Sequence, residues 1–183
     1  MISRFIALIL LIISSPLLIV IAIIIFLSDK TPVIFKQKRI GSNNQYFLLY
    51  KFRTMKNKTP NIATHLIEDP SKYYITTGAL LRKLSFDELP QLYNIVKGDM
   101  VFIGPRPALY NQNDLIKLRT KNNLHKMKPG ITGWAQINGR DSISIEKKVE
   151  LEKLYLKEKS LFLNTKIILM TFLKVFLVSD VEH

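Results

Sequence analysis

Cysteine is absent from the 183 residues, so disulfides, thiolate metal sites and cysteine nucleophiles are all excluded. Histidine is scarce: only His65, His125 and His183 can act as imidazole bases or ligands, and a hard, oxygen-bound cation is the metal type most easily accommodated. Acidic residues are also few. Fourteen Asp and Glu stand against 27 Lys and Arg, a formal charge of +13 that attracts polyanions such as nucleic acid, anionic lipid or phosphorylated substrates. Charge alone does not choose among these, but no RNA-recognition or helix-turn-helix signature accompanies it. There is no internal repeat and no low-complexity tract.

Charge is also missing from the whole stretch Phe5 to Ser28, which is apolar on every face. A bilayer core roughly 30 Å thick needs about 20 such residues, so the stretch is long enough to span. Ser14-Ser15-Pro16 lies near its middle, where proline removes one backbone donor and opposes the carbonyl of Ile12. A kink is expected there. A kinked helix can cross the membrane, or turn back and keep both ends on one face while the serine hydroxyls satisfy the freed backbone groups. A cleaved signal peptide fits poorly, because Arg4 is the only early charge and no Ala-x-Ala site follows. Lys30, Lys36, Lys38 and Arg39 then place the remainder, one compact domain by length, in the cytoplasm.

Val33 to Ile40 and Gln45 to Arg53 read as two strands around a Gly/Asn turn, a β-hairpin. Residues 57–72, with Pro60 and Pro70, read as a surface loop with room for a short helix. Helical spacing begins at Gly78 to Lys83 and resumes from Leu89 to Val96, where Lys97-Gly98-Asp99 supplies a glycine C-cap. Residues 111–128 read as a basic helix and 144–159 as a charged helix with Glu/Lys pairs. Leu161 to Val178 is apolar but interrupted by Asn164, Lys166 and Lys174, which suits an interfacial helix or an ordinary core helix equally.

Two carboxylates stand side by side in Ser85-Phe86-Asp87-Glu88-Leu89-Pro90, just after Arg82 and Lys83. One reading is purely structural: Ser85 and Glu88 form a capping box, and Asp87 complements the helix dipole. The other is chemical. A helix start favours phosphate, an aspartate there can attack a phosphoryl group, and its neighbour can hold Mg²⁺. Gly104-Pro105-Arg106-Pro107 presents Arg106 from a stiff backbone, as suits bidentate phosphate recognition, although a rigid connecting loop explains it equally. Lys51 and Arg53 alternate with apolar residues on the second strand and fall on one face.

Taken together and in order, these stretches resemble the bacterial sugar transferase family, the small monotopic phosphoglycosyl transferases. The resemblance runs through Ser15-Pro16, Pro32 to Gly41, Tyr50 to Met55, Leu81 to Leu92, Lys97 to Met100, Gly104 to Pro107 and Lys128 to Gln136. It departs from the family pattern at Ser3-Arg4 and Ala7, and at Tyr74, where an arginine is usual.

The resemblance implies an α+β, mostly helical fold with a small β-hairpin element and interfacial amphipathic helices. Residues 1–29 would form a re-entrant membrane helix broken at Ser15-Pro16, and residues 30–183 a membrane-associated catalytic domain on the cytoplasmic face of the bacterial inner membrane. It further implies that Asp87 attacks a UDP-sugar donor, releases UMP and passes the sugar phosphate to undecaprenyl phosphate. In that scheme Glu88 binds Mg²⁺ with Asp87 or assists with a proton. Arg82 and Arg106, framed by Pro105 and Pro107, grip phosphates, and Lys51 and Arg53 line the site. An N-acetylated amino sugar is the expected cargo, with inner-membrane lipids and downstream glycosyltransferases as partners and nucleic acid excluded. The competing reading is a non-catalytic basic adaptor on the membrane surface that binds anionic lipid or nucleic acid. It explains the anchor and the charge but not the adjacent carboxylates.

Overall fold

The computed structural model describes residues 1–30, 32–57, 59, 68–139 and 142–176. The apolar N-terminal stretch forms one long helix, α1 (Ile2–Asp29). Helical conformation continues on both sides of Pro16. The reason is local: Ser15 Oγ donates to the Ile12 carbonyl at 2.7 Å, the acceptor that proline cannot serve, and Ser14 Oγ bonds Leu11 O.

A single stripe of α1 is covered. Ala7, with Leu11 beside it, packs on Leu49, Leu92, Ile95 and Met100, while Ile21 and Ile25 pack on Phe52, Ile75 and Leu81. Both halves of the helix therefore lie on the same body. The remaining faces expose Phe5, Ile12, Ile13, Ile19 and Leu27, with many other large apolar side chains. α1 is long and apolar enough to cross a membrane, and little of it is buried.

The expected hairpin is present as β1 (Ile34–Ile40) and β2 (Tyr46–Phe52), antiparallel in the register Ile34 to Phe52 and Ile40 to Tyr46. The turn is made possible by Asn43 and Asn44, both left-handed, a conformation asparagine tolerates better than most residues. α2 (Gly78–Lys83) and α3 (Gln91–Lys97) follow, and Gly98 closes α3 at φ 91°. Arg4 lies directly over Gly98, so a side chain there would collide with its guanidinium.

β3 (Val101–Ile103), β4 (Ala108–Leu109) and β5 (Gly130–Thr132) were not expected. β4 extends the hairpin beside β1, and β3 pairs with β5 in parallel. α4 (Asn113–Lys121) is shorter than the 111–128 read from its basic pattern. Asn123, at φ 59°, stops it, and a 3-10 turn over Leu124–Lys126 follows. Of the loop expected over 57–72, residues 58 and 60–67 lie outside the described residues, and Pro70–Tyr73 is a 3-10 turn.

The C-terminal third comprises α5 (Trp134–Ile137), α6 (Ile145–Glu158, capped by Ser144 Oγ on Lys147 N) and α7 (Leu161–Phe176). α7 buries Ile167 but exposes Leu161, Phe162, Leu169, Phe172 and Leu173, which decides for the amphipathic reading over the core helix. Arg119 of α4 and Glu152 of α6 join in a buried bidentate pair, 2.8 Å from Nε and 2.5 Å from Nη2.

Three glycines let the second half close. A Cβ on Gly130 would strike the Gly104 backbone, and one on Gly133 would strike the Gly104 carbonyl oxygen. Gly133→Ala is therefore expected to destabilise the protein by about 1–3 kcal/mol through overpacking against a rigid backbone. Thermal unfolding in detergent checks this, and an unchanged midpoint would contradict it.

Candidate functional site

The acidic pair sits on a turn that its sequence forces. Ser85 is left-handed at φ 55° and makes no side-chain cap, so the expected capping box with Glu88 does not form. Phe86–Glu88 is a single 3-10 turn, and Pro90 stands at the position just before α3. At three residues per turn Phe86 and Leu89 eclipse one another. Both pack into the apolar cluster around Ile21, Ile25 and Phe52, which leaves Asp87 and Glu88 on the other side of the turn.

Strand β2 brings Lys51 to that side. Its Nζ donates to Glu88 Oε1 at 2.6 Å and lies 3.7 Å from Asp87 Oδ2. Arg106 approaches from a distant loop, with Nη1 3.7 Å from the same Glu88 oxygen. The four side chains come from three separate stretches and balance two negative against two positive charges. All are largely shielded from solvent, Asp87 being 7% exposed. Burial pushes the Lys51 ammonium below the usual lysine range, and the carboxylates of Glu88 and Asp87 oppose that shift.

The Arg106 loop is stiff for reasons visible in its bonds. Pro105 and Pro107 fix their own φ, and both carbonyls are tethered: Gly130 N donates to Pro105 O, and Arg39 Nη1 to Pro107 O, each at 2.9 Å. Gly104 N bonds Thr132 O at 2.9 Å. The Gly104 to Pro107 and Lys128 to Gln136 stretches are thus one assembly. Behind Arg106 it encloses a cavity about the size of one water, lined also by Trp134, Gln136, Glu152 and Tyr155.

Asp87, Glu88, Lys51 and Arg106 are therefore brought together. Arg82 rests between Met55 Sδ, 3.4 Å away, and the Tyr74 ring, 5.4 Å from its centroid, so the residue that departs from the family pattern touches a candidate phosphate-binding arginine. Arg53 is placed at the end of α1, where Nη2 donates to the carbonyls of Asp29 and Lys30.

One residue escaped sequence reasoning. Asn94, fully buried, accepts from Tyr50 N at 3.1 Å and donates to Leu48 O at 2.7 Å and Asp99 Oδ2 at 3.3 Å. It fastens the outer edge of β2 and so the strand that carries Lys51. The available signal was an amide set in the apolar spacing of Leu92 and Ile95.

The two carboxylates also bear on a metal. Both converge on one cation, the Lys51 ammonium, and they offer hard oxygen donors. Among the described residues no group of three or more His, Cys, Asp or Glu gathers to form a closed cage. Such a half-site suits Mg²⁺, which keeps several waters and shares one or two carboxylates with substrate phosphates.

The chain matches the family model described as bacterial sugar transferase over residues 1–178. It is 47% identical over 156 residues to the uncharacterized sugar transferase EpsL of Bacillus subtilis, covering 84% of this chain and 74% of that protein. It is 37% identical over 178 residues to the UDP-glucose:undecaprenyl-phosphate glucose-1-phosphate transferase of Escherichia coli, covering 93% of this chain and 38% of that one. A UDP-N-acetylgalactosamine-undecaprenyl-phosphate N-acetylgalactosaminephosphotransferase of Aeromonas hydrophila is 36% identical over 162 residues, covering 86% and 38%. The chain thus spans most of EpsL but well under half of the other two.

Asn94→Ala should destabilise the protein by about 1–3 kcal/mol, because the buried edge of β2 loses its partners. Denaturant unfolding checks this, and a loss too small to resolve would show that the edge finds other partners.

Proposed function

The chain belongs to the bacterial sugar transferase family, and from that premise we propose that it is a phosphoglycosyl transferase moving a sugar 1-phosphate from a UDP-sugar to undecaprenyl phosphate. The observation that carries this reading is the convergence of Asp87, Glu88, Lys51 and Arg106 on one point. A basic adaptor has no use for two shielded carboxylates flanked by a lysine and an arginine.

A carboxylate oxygen of Asp87 attacks the sugar-bearing phosphorus. A bond from Asp87 oxygen to phosphorus forms, the bridge between the two phosphates breaks, and UMP leaves with the bridging oxygen. A phosphate oxygen of undecaprenyl phosphate then attacks the same phosphorus, and the bond to Asp87 breaks. The products are the lipid diphosphate sugar and the free carboxylate. Lys51 and Arg106 hold the phosphates and offset the charge that develops on them. Glu88, bonded to Lys51, orients that ammonium. Asp87 and Glu88 would hold Mg²⁺, which supplies further neutralisation of the departing phosphate.

The membrane geometry follows from α1. Arg4 of its first turn lies against Gly98 and Arg53 bonds the carbonyls of its last, so both ends lie on the body that carries the site. That favours a re-entrant helix lodged in one leaflet, with residues 30–183 on the cytoplasmic face of the inner membrane where UDP-sugars are found. The exposed apolar face of α7 would rest on the same surface. An N-acetylated amino sugar is the cargo we propose, and the product would feed downstream glycosyltransferases.

With Mg²⁺, undecaprenyl phosphate and a panel of UDP-sugars, the protein in detergent should release UMP from one donor. Asp87→Asn should lower that rate at least about a thousandfold, and chelation of Mg²⁺ should abolish it. A full rate in Asp87→Asn would refute the assignment, and folded protein that releases no UMP from any donor would refute the reaction class.

A further inference from the structure

The exit of α1 carries more strain and more buried charge than a helix end requires. Lys30, its C-cap, adopts φ 58° and ψ −149°, a region that glycine enters freely and other residues rarely do. Such strain persists only where the surroundings fix it from several sides. Here the fixing group is Arg53, 5% exposed, whose Nη2 donates to Asp29 O at 2.8 Å and Lys30 O at 3.0 Å. Its Nη1 donates to Asn57 Oδ1 at 3.0 Å, and its backbone N–H to Val33 O at 2.9 Å. The last carbonyls of a helix lack partners within it, and a cation there also complements the negative end of the helix dipole. Asp29 Oδ2 is buried with no hydrogen-bond partner among the described residues.

Two residues before Arg53, on the same strand end, stands Lys51. Phe52 between them is buried against Ile21 and Ile25 of α1. Segment 51–53 is thus bonded on one side to the membrane helix and on the other to the acidic pair.

We propose that Arg53 is a positioning residue for the transfer: it locks the exit of the membrane helix to the strand end that presents Lys51, and does not itself grip the nucleotide sugar. This rests on the transferase reading above. A swing of the α1 exit relative to β2 would displace Lys51, and with it the alignment of Asp87 and Glu88.

The test uses the full chain in nanodiscs, with two readouts: amide hydrogen exchange over residues 26–30, and kcat and KM for UMP release. Arg53→Ala should raise exchange over 26–30 by about tenfold or more, as the last turn of α1 loses its partners. It should also lower kcat by roughly tenfold to a hundredfold through misplacement, while KM for the UDP-sugar stays within about twofold. Arg53→Lys, with the charge but not the fork, should fall between wild type and Arg53→Ala in both readouts. Asn57→Ala removes an exposed side chain that steadies the guanidinium. It keeps the comparison decisive if Arg53→Ala fails to fold, because the same two changes should appear in smaller measure.

A raised KM for the UDP-sugar with unchanged exchange over 26–30 would overturn the proposal and make Arg53 a substrate ligand. Unchanged exchange together with unchanged kinetics would also overturn it. A wild-type protein that releases no UMP would instead defeat the transferase reading, and the exchange comparison would still decide whether Arg53 holds the helix.

Discussion

Everything in this molecule is arranged around a lysine that cannot be left alone. Lys51 is largely withdrawn from water, and an isolated ammonium in that position would lose its proton or pull the site open. It stays because Glu88 lies 2.6 Å away and Asp87 3.7 Å away. The carboxylates are equally dependent, since each would resist burial without a cation. Arg106 completes the balance from a third stretch of chain. A cluster with no net charge tolerates burial.

Holding three stretches in register is the work of the surrounding fold. Asn94 pins the edge of β2, Phe86 and Leu89 root the acidic turn in the apolar cluster beneath it, and the close contact of Gly104, Gly130 and Gly133 fixes the Arg106 loop. The apolar helix α1 is part of the same construction. Ile21 and Ile25 of α1 form one wall of the cluster on which the acidic turn rests, so the apolar helix and the charged cluster share a core.

Much of this was legible where local chemistry decides local structure. The hairpin, the glycine stop at Gly98 and the charged helix over 144–159 all follow from spacing and propensity. The pairing of β3 with β5 was not, because three-residue strands carry no periodicity and their partners lie far apart in sequence. The capping box failed because Ser85 turns left-handed to link α2 to the acidic turn, a tertiary demand that overrides the local pattern. The path of α1 through Pro16 was not legible either, because it depends on one serine hydroxyl that serves the carbonyl proline abandons. Within the site, the pairing of Asp87 and Glu88 was visible as adjacency, whereas the different fates of Lys51 and Arg53, two residues apart, depend on where α1 ends.

The central claim, that Asp87 is the nucleophile of a charge-balanced site, is tested most directly by mass spectrometry of the intact protein. The protein is mixed with its UDP-sugar and Mg²⁺ but no lipid acceptor, then digested to locate any adduct. The account predicts a gain of one sugar phosphate on the peptide that contains Asp87, discharged when undecaprenyl phosphate is added. Turnover with acceptor present but no adduct at any time in its absence would contradict it, and would mean that the lipid phosphate attacks the donor directly.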